Sequence, residues 1–255
     1  SNGSIGMNGA SYMGITGLLA GAREDPAVKA IFAIVPMGDA YRDIVFTGGQ
    51  INAGFIPLWV TLVTGLGIIP TPAGLDNNEP GYYLNTTLQH LQGALTEFQV
   101  PVVAGALIGD ENKYDTEFWR IRSPLEQIDK ITAPTFVVGG LNDIFQRGEP
   151  LIYEGLKDHT TAKLLIGPWE HLDGSSGAGL PADGVPALST IRLAWFDQYL
   201  KGMDSGAGDY PPVTQYYTGE ERYVTAADWP HPEAKAETFF LHGQPGAPLF
   251  GSISP

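Results

Sequence analysis

Three features of the sequence predict an α/β fold: a parallel sheet whose strand–helix alternation is broken by an inserted, mainly helical segment. Residues 30–35 (AIFAIV), 135–138 (TFVV) and 163–166 (KLLI) are short continuous apolar runs, as parallel strands covered on both faces require. Stretches of helical periodicity alternate with them, at residues 12–22, 148–156 and 185–200. Between the first and second of these runs, residues 37–125 lose the alternation altogether.

Taken in order, residues 4–7 read as a short strand, Asn8-Gly9 as a tight turn, and residues 12–22 as a helix ended by Asp25-Pro26, with Met13, Ile15, Leu18, Leu19 and Ala22 at helical spacing. The strand at 30–35 follows. Within 37–125 lie an uncharged apolar run at 55–69 (FIPLWVTLVTGLGII) and a helical stretch at 82–98. The apolar run resembles a membrane span in composition, but Pro57, Thr61, Thr64, Gly65 and Gly67 interrupt it, Asp43 and Asp76 bracket it, and no Lys/Arg cluster orients it. A buried or cleft-lining helix is expected there, and no membrane partner. Alternation returns with the strand at 135–138, the helix at 148–156, the strand at 163–166 and the amphipathic helix at 185–200, which rebuild a sheet with crossover helices. Residues 213–217 and 238–241 read as strands between Pro-rich turns.

Composition removes several chemistries. With no Cys in 255 residues, thiolate nucleophiles, Cys-based metal sites and disulfides are excluded. Lys and Arg number 14 against 28 Asp and Glu, a net charge of −14 that repels nucleic acid and anionic lipid. Neither G-x-G-x-x-G nor G-x-x-x-x-G-K-[ST] occurs, which disfavours nucleotide chemistry, and no carboxylate pair of the glycosidase kind is evident. No metal and no cofactor is expected. No basic-then-apolar signal segment is visible, and cytoplasmic and secreted locations are both compatible with the chain.

The sharpest motif is Gly9-Ala10-Ser11-Tyr12-Met13-Gly14, between a strand and a helix. A nucleophile elbow needs this placement: a sharp turn lifts the serine above the strand ends, and the following N–H, here that of Tyr12, faces a developing oxyanion. Strict G-x-S-x-G fails, because Met13 holds the second glycine position. Taken alone, the motif could equally be an ordinary Gly-rich turn. A serine also needs a base and an acid that orients it, which in α/β-hydrolases follow in the order Ser, Asp or Glu, His, each after a strand. Asp143 follows the strand at 135–138, and His171 follows that at 163–166. Competing readings are a helix-capping role for Asp143 and a rim position for Glu170. His90, His159, His231 and His242 follow no sheet strand, and Asp110 and Asp115 belong to the insertion. The expected catalytic set is Ser11, Asp143 and His171 with the Tyr12 N–H at the oxyanion. Phe55, Trp59, Trp119 and Trp169 are candidates for a substrate pocket, with simple core packing as the alternative. The partner expected is a small ester, amide or peptide substrate, and self-association into a homo-oligomer is compatible.

GMNGASYMG, GGLNDIF, GPWEH, DTEFWRIRSP and WFDQYLKG resemble the serine hydrolases of the X-Pro dipeptidyl-peptidase and cocaine-esterase (CocE/NonD) family. In that family the elbow is G-x-S-Y-x-G, the acid lies in G-x-x-D, matched by residues 140–143, and the base in G-P-W-x-H, matched by residues 167–171. The resemblance implies an α/β-hydrolase core in residues 1–36 and 126–205, a helical cap at 37–125, and the beginning of a C-terminal β jelly roll, a β-sandwich, at 206–255. It also implies that the fold is incomplete at the N-terminus, without the upstream Tyr that completes the family's oxyanion hole, so that an internal fragment of a longer enzyme is expected. The activity implied is hydrolysis of an ester or amide, Xaa-Pro dipeptidyl bonds included, through an acyl-enzyme. A catalytically inactive binding protein of the same fold, or an inactive fragment, is the alternative, and the choice between peptidase and esterase is left open.

Overall fold

Parallel pairing of buried apolar strands organises the chain. A computed structural model describes residues 2–72, 80–176, 179–243 and 251–254. Strands β1 (Ile5–Ala10), β2 (Val28–Ile34), β3 (Thr135–Asn142), β4 (Ala162–Glu170) and β5 (Val213–Tyr217) lie side by side in chain order, all parallel. Strand β6 (Arg222–Ala226) closes the edge as an antiparallel hairpin partner of β5.

The two-residue period of each strand divides the core. On one face Ile31, Ala33, Val137, Leu164 and Ile166 meet Leu18 of α1 (Tyr12–Gly21) and residues of the helix at Gly148–Leu156. On the other face Phe32, Ile34, Phe136, Val138 and Leu165 meet Leu188, Ile191 and Trp195 of the helix at Leu188–Lys201. Helix α1 comes close because it turns glycines toward the sheet: a Cβ on Gly21 would fall 2.5 Å from Ile31 Cδ1.

The insertion holds α2 (Ile56–Ile68), α3 (Pro80–Thr96), α4 (Gln99–Ile108) and a short α5 (Glu117–Arg120), with α2 packed on α3 and α3 on α4. Of the buried or cleft-lining helix expected at 55–69, the buried alternative is not met, since no residue of α2 is buried and Leu58 is 71% exposed. At its start, Phe55 and Ile56 pack beside Ile15, Ile44 and Phe145. Among the described residues no helix is long and apolar enough to cross a membrane. Downstream lie α6 (Gly148–Leu156), α7 (His171–Ser175) and α8 (Leu188–Lys201).

Two strand boundaries differ from the sequence reading. Asn8 and Gly9 belong to β1, in register with Phe32 and Ala33 of β2, because a parallel ladder accepts a glycine where a helix packs closely. More consequentially, the boundary drawn at residue 206 cuts the sheet. Val213 pairs with Leu164 and is fully buried in the same core as Ile31, so β5 and β6 extend the central sheet and do not open a separate sandwich. The apolar cover for β4 had to come from somewhere, and Val213 and Ala226 supply it. Strands β7 (Phe240–Gly243) and β8 (Gly251–Ser254) form a second, two-stranded antiparallel sheet.

Trp195 is the largest fully buried side chain, edge-on to Phe136 at 5.4 Å and tilted against Tyr199 at 4.5 Å. Trp195→Ala is expected to cost about 3–5 kcal/mol, read as a lowered urea midpoint.

Candidate active site

The ladder between β1 and β2 runs on into the turn: Ser11 N–H donates to Ile34 O at 2.8 Å although the strand has ended. Ser11 then adopts φ 55°, ψ −124°, a conformation that costs a non-glycine residue about 1–3 kcal/mol. Its neighbours make the turn possible. A Cβ on Gly9 would sit 2.4 Å from the Met13 backbone carbon, and one on Gly14 would sit 3.1 Å from Gly9 O. Met13 itself points outward, 62% exposed, so residue 14, facing the strands, is the one that must be glycine. This explains the departure from G-x-S-x-G. As the first residue of α1, Tyr12 has an N–H with no carbonyl one turn earlier to receive it.

Beyond β3 the chain turns through Asp143, whose N–H donates to Gly140 O at 3.1 Å. Its carboxyl is wholly buried. Oδ1 accepts the Phe145 N–H at 2.5 Å, a local turn that fixes the side chain, and Oδ2 lies 2.7 Å from His171 Nδ1. Asp143 does not cap α6, whose N-cap is Arg147. His171, at the head of α7, places Nε2 2.8 Å from Ser11 Oγ. With the proton on Nδ1 held by Asp143, Nε2 is free to accept the serine hydroxyl. Phe145 meets the imidazole edge-to-face at 5.1 Å, and Asn142 Nδ2 bonds Pro168 O at 3.1 Å, tying the acid loop to the strand that ends in the histidine.

A family profile described as X-Pro dipeptidyl-peptidase (S15 family) matches residues 1–173. The chain belongs to this family. A cocaine esterase from Rhodococcus sp. (strain MB1 Bresler) is 26% identical over 267 residues, covering 96% of this chain and 46% of its own length. The chain thus spans about half the length of the curated relatives it matches. A CocE/NonD family hydrolase from Staphylococcus aureus superposes with a TM-score of 0.62 at 20% identity, over 95% of this chain and 37% of that one. An alpha-amino acid ester hydrolase gives 0.60 at 24% identity, over 90% and 39%. The fold shared with these structures is the α/β-hydrolase fold.

In this S15 family member the four aromatic pocket candidates separate. Trp169 is buried beneath the loops, where a Cβ on Gly140, Gly167 or Gly174 would fall 2.8, 2.0 or 3.0 Å from its indole, so it is a spacer under the site and not a wall of it. Trp119 is buried with Ala40 and Phe46 within the insertion. Phe55 and Trp59 stack at 5.6 Å, and Phe55 adjoins the cluster containing Phe145, hence the histidine. The competing titratable groups lie elsewhere: Asp115 is engaged by Arg42 at 2.5 Å, His159 Nε2 contacts Ile131 O, and Glu170 is exposed. Each member of the set is followed by an exposed apolar residue, Tyr12, Ile144 and Leu172. Among the described residues no cluster of three or more His, Asp or Glu is placed to hold a metal ion.

Two buried carboxyls behind the acid loop escaped the sequence reading. Asp43 accepts from the Gly38 and Asp39 N–H groups at 2.8 and 2.7 Å and pairs with Arg147 at 2.5 Å; burial still raises its pKa. Glu149, fully buried in the first turn of α6, is pushed well above the ordinary glutamate range by burial and by Asp143. The signal for Glu149 was its spacing: Ile152, Tyr153 and Leu156 follow at three, four and seven residues on one buried stripe.

Glu149 also sets a pH dependence. Folded, it stays protonated above the ordinary value of 4.5, at which the unfolded chain ionises, so its contribution to stability is whole below that pH and is lost as pH rises toward the folded pKa. Glu149→Gln is therefore expected to match wild type below about pH 4.5 and to gain on it as pH rises from there toward the folded pKa, by up to about 1.4 kcal/mol per unit. Thermal unfolding across pH checks this, and parallel curves would contradict it.

Proposed function

We propose that the protein is a serine hydrolase in which Ser11, His171 and Asp143 act as nucleophile, base and orienting acid on an ester or amide. The observation that carries this reading is the unbroken relay from Ser11 Oγ to His171 Nε2 at 2.8 Å and from His171 Nδ1 to Asp143 Oδ2 at 2.7 Å. Membership of the S15 family and similarity to a protein named cocaine esterase support it.

Ser11 Oγ adds to the substrate carbonyl as its proton passes to His171 Nε2. The Tyr12 N–H, at the positive end of α1, stabilises the oxyanion. The bond to the leaving group then breaks, that group takes the proton from His171, and an acyl-serine remains. Water repeats the sequence in reverse: it gives a proton to His171, forms the acid product, and Ser11 regains its hydrogen. Asp143 stays ionised throughout and stabilises the imidazolium. Phe55 and Trp59, with Phe145 between them and the histidine, suit an apolar acyl or leaving group. The family's description and the relative's name make X-Pro dipeptidyl bonds and esters the two substrate classes to compare.

A fluorophosphonate probe is expected to label Ser11 of the full-length protein, and Ser11→Ala to lower kcat on p-nitrophenyl esters by about 10⁴–10⁶-fold. Labelling of another residue, or undiminished turnover by the variant, overturns the assignment. Rates on aryl esters against Xaa-Pro-nitroanilides then assign the bond type.

A further inference from the structure

Strand β2 ends before β3 does. Pairing between them runs from Ile31 with Thr135 to Ile34 with Val138, and the last bond on that side is Val35 N–H to Val138 O at 2.7 Å. In a parallel ladder alternate residues address the same neighbour, so Gly140 is the next residue of β3 to turn its N–H toward β2, where no strand remains. Glu149 fills the place: its Oε2 accepts the Gly140 N–H at 3.0 Å. The carboxyl lies directly on the strand, since a Cβ on Gly139 would fall 2.2 Å from Oε2.

The same peptide segment carries the acid. Gly140 O accepts the Asp143 N–H, so Glu149 Oε2, the Gly140 N–H, the Gly140 carbonyl and the Asp143 backbone form one short chain that ends at the carboxyl facing His171. From this geometry we infer that Glu149 is a positioning residue for Asp143, holding the turn at residues 140–143 through the Gly140 N–H. The inference rests on the serine-hydrolase reading above and adds a residue to it.

Glu149 does this as an uncharged group. It is fully buried, and Oε1 has no hydrogen-bond partner, a state far more costly for a carboxylate than for a carboxylic acid. The charged groups around it are Asp143 on the turn, Asp43 from the loop after β2, and Arg147, which is already paired with Asp43. Beyond Asp143 stands His171. A neutral Glu149 leaves Asp143 as the one carboxylate addressing the histidine.

The test compares Glu149→Gln, which keeps an acceptor for Gly140 and cannot ionise, with Glu149→Met, which keeps the volume and removes the acceptor, in the full-length protein with p-nitrophenyl esters. Glu149→Gln is expected to hold kcat within about 3-fold of wild type and to leave the acid limb of the kcat/KM–pH profile in place. Glu149→Met is expected to lose about 10–100-fold in kcat with KM within 2-fold and the far-ultraviolet spectrum intact. Undiminished kcat in Glu149→Met, or equal losses in both variants, overturns the inference. An acid limb moved to lower pH in Glu149→Gln does so too, because it would mean that a negative charge had been removed from beside Asp143. Should Glu149→Met fail to fold, Glu149→Gln alone decides, a loss of more than 10-fold sinking the inference. Wild-type labelling at Ser11 by a fluorophosphonate separates the cases: if it is absent, the hydrolase reading fails, and if it is present and matched in rate by Glu149→Met, only the role of Glu149 fails.

Discussion

The hydrogen bond from Ser11 N–H to Ile34 O is the constraint on which the arrangement depends. It carries the β1–β2 ladder one residue past the strand and so fixes where the chain must reverse into α1. The reversal leaves Ser11 at φ 55°, a strain that nothing local relieves and that the surrounding packing must impose. Gly9 and Gly14 let helix and strand close to within a backbone atom's width, and Gly21 seats the far end of α1 on Ile31. A longer side chain at any of these positions would lift the helix, and the proposed nucleophile with it.

Parallel topology accounts for how residues 160 positions apart come within hydrogen-bond distance. Strands β1, β3 and β4 all point the same way, so the loops leaving them emerge at one edge, where open α/β sheets place their ligands. What holds those loops at the right height is less visible. Trp169 is packed against the acid loop, its own strand and α7 at once, with glycines at 140, 167 and 174 where its indole would otherwise collide. Glu149 supports the same loop from the opposite side. The acid turn is thus clamped between an indole and a carboxyl.

Much of this was legible in order and spacing. Asp143 and His171 each follow an apolar run, Ser11 lies between a short strand and a helix, and an apolar run has few structures open to it once helices alternate with it. What could not be read was where partners come from at long range. Residues 213–217 are a strand on any reading, but only the unfilled edge of β4 decides that Val213 joins the central sheet. Trp119 and Trp169 look like any other aromatics until packing buries them, and α2 is apolar enough to be core yet has no buried residue. Glu149 was overlooked for a different reason. A carboxyl in a buried helical stripe contradicts the usual rule, and such contradictions collect where backbone groups have lost their ladder partners.

The electrostatics of the site follow from how three buried carboxyls are answered. Asp43 meets a guanidinium, Glu149 meets a peptide N–H, and Asp143 meets an imidazole. These partners are not equivalent. Asp43 is paired with Arg147, yet its charge still contributes to raising the Glu149 pKa. A single N–H in a dry interior cannot sustain a carboxylate, so Glu149 contributes shape and an acceptor without charge. Of the three, only Asp143 faces a group whose charge would appear and disappear in the proposed reaction. In the proposed reaction Asp143 addresses the imidazole at Nδ1, on the side away from Ser11 Oγ, so that it stabilises the imidazolium without crowding the hydroxyl.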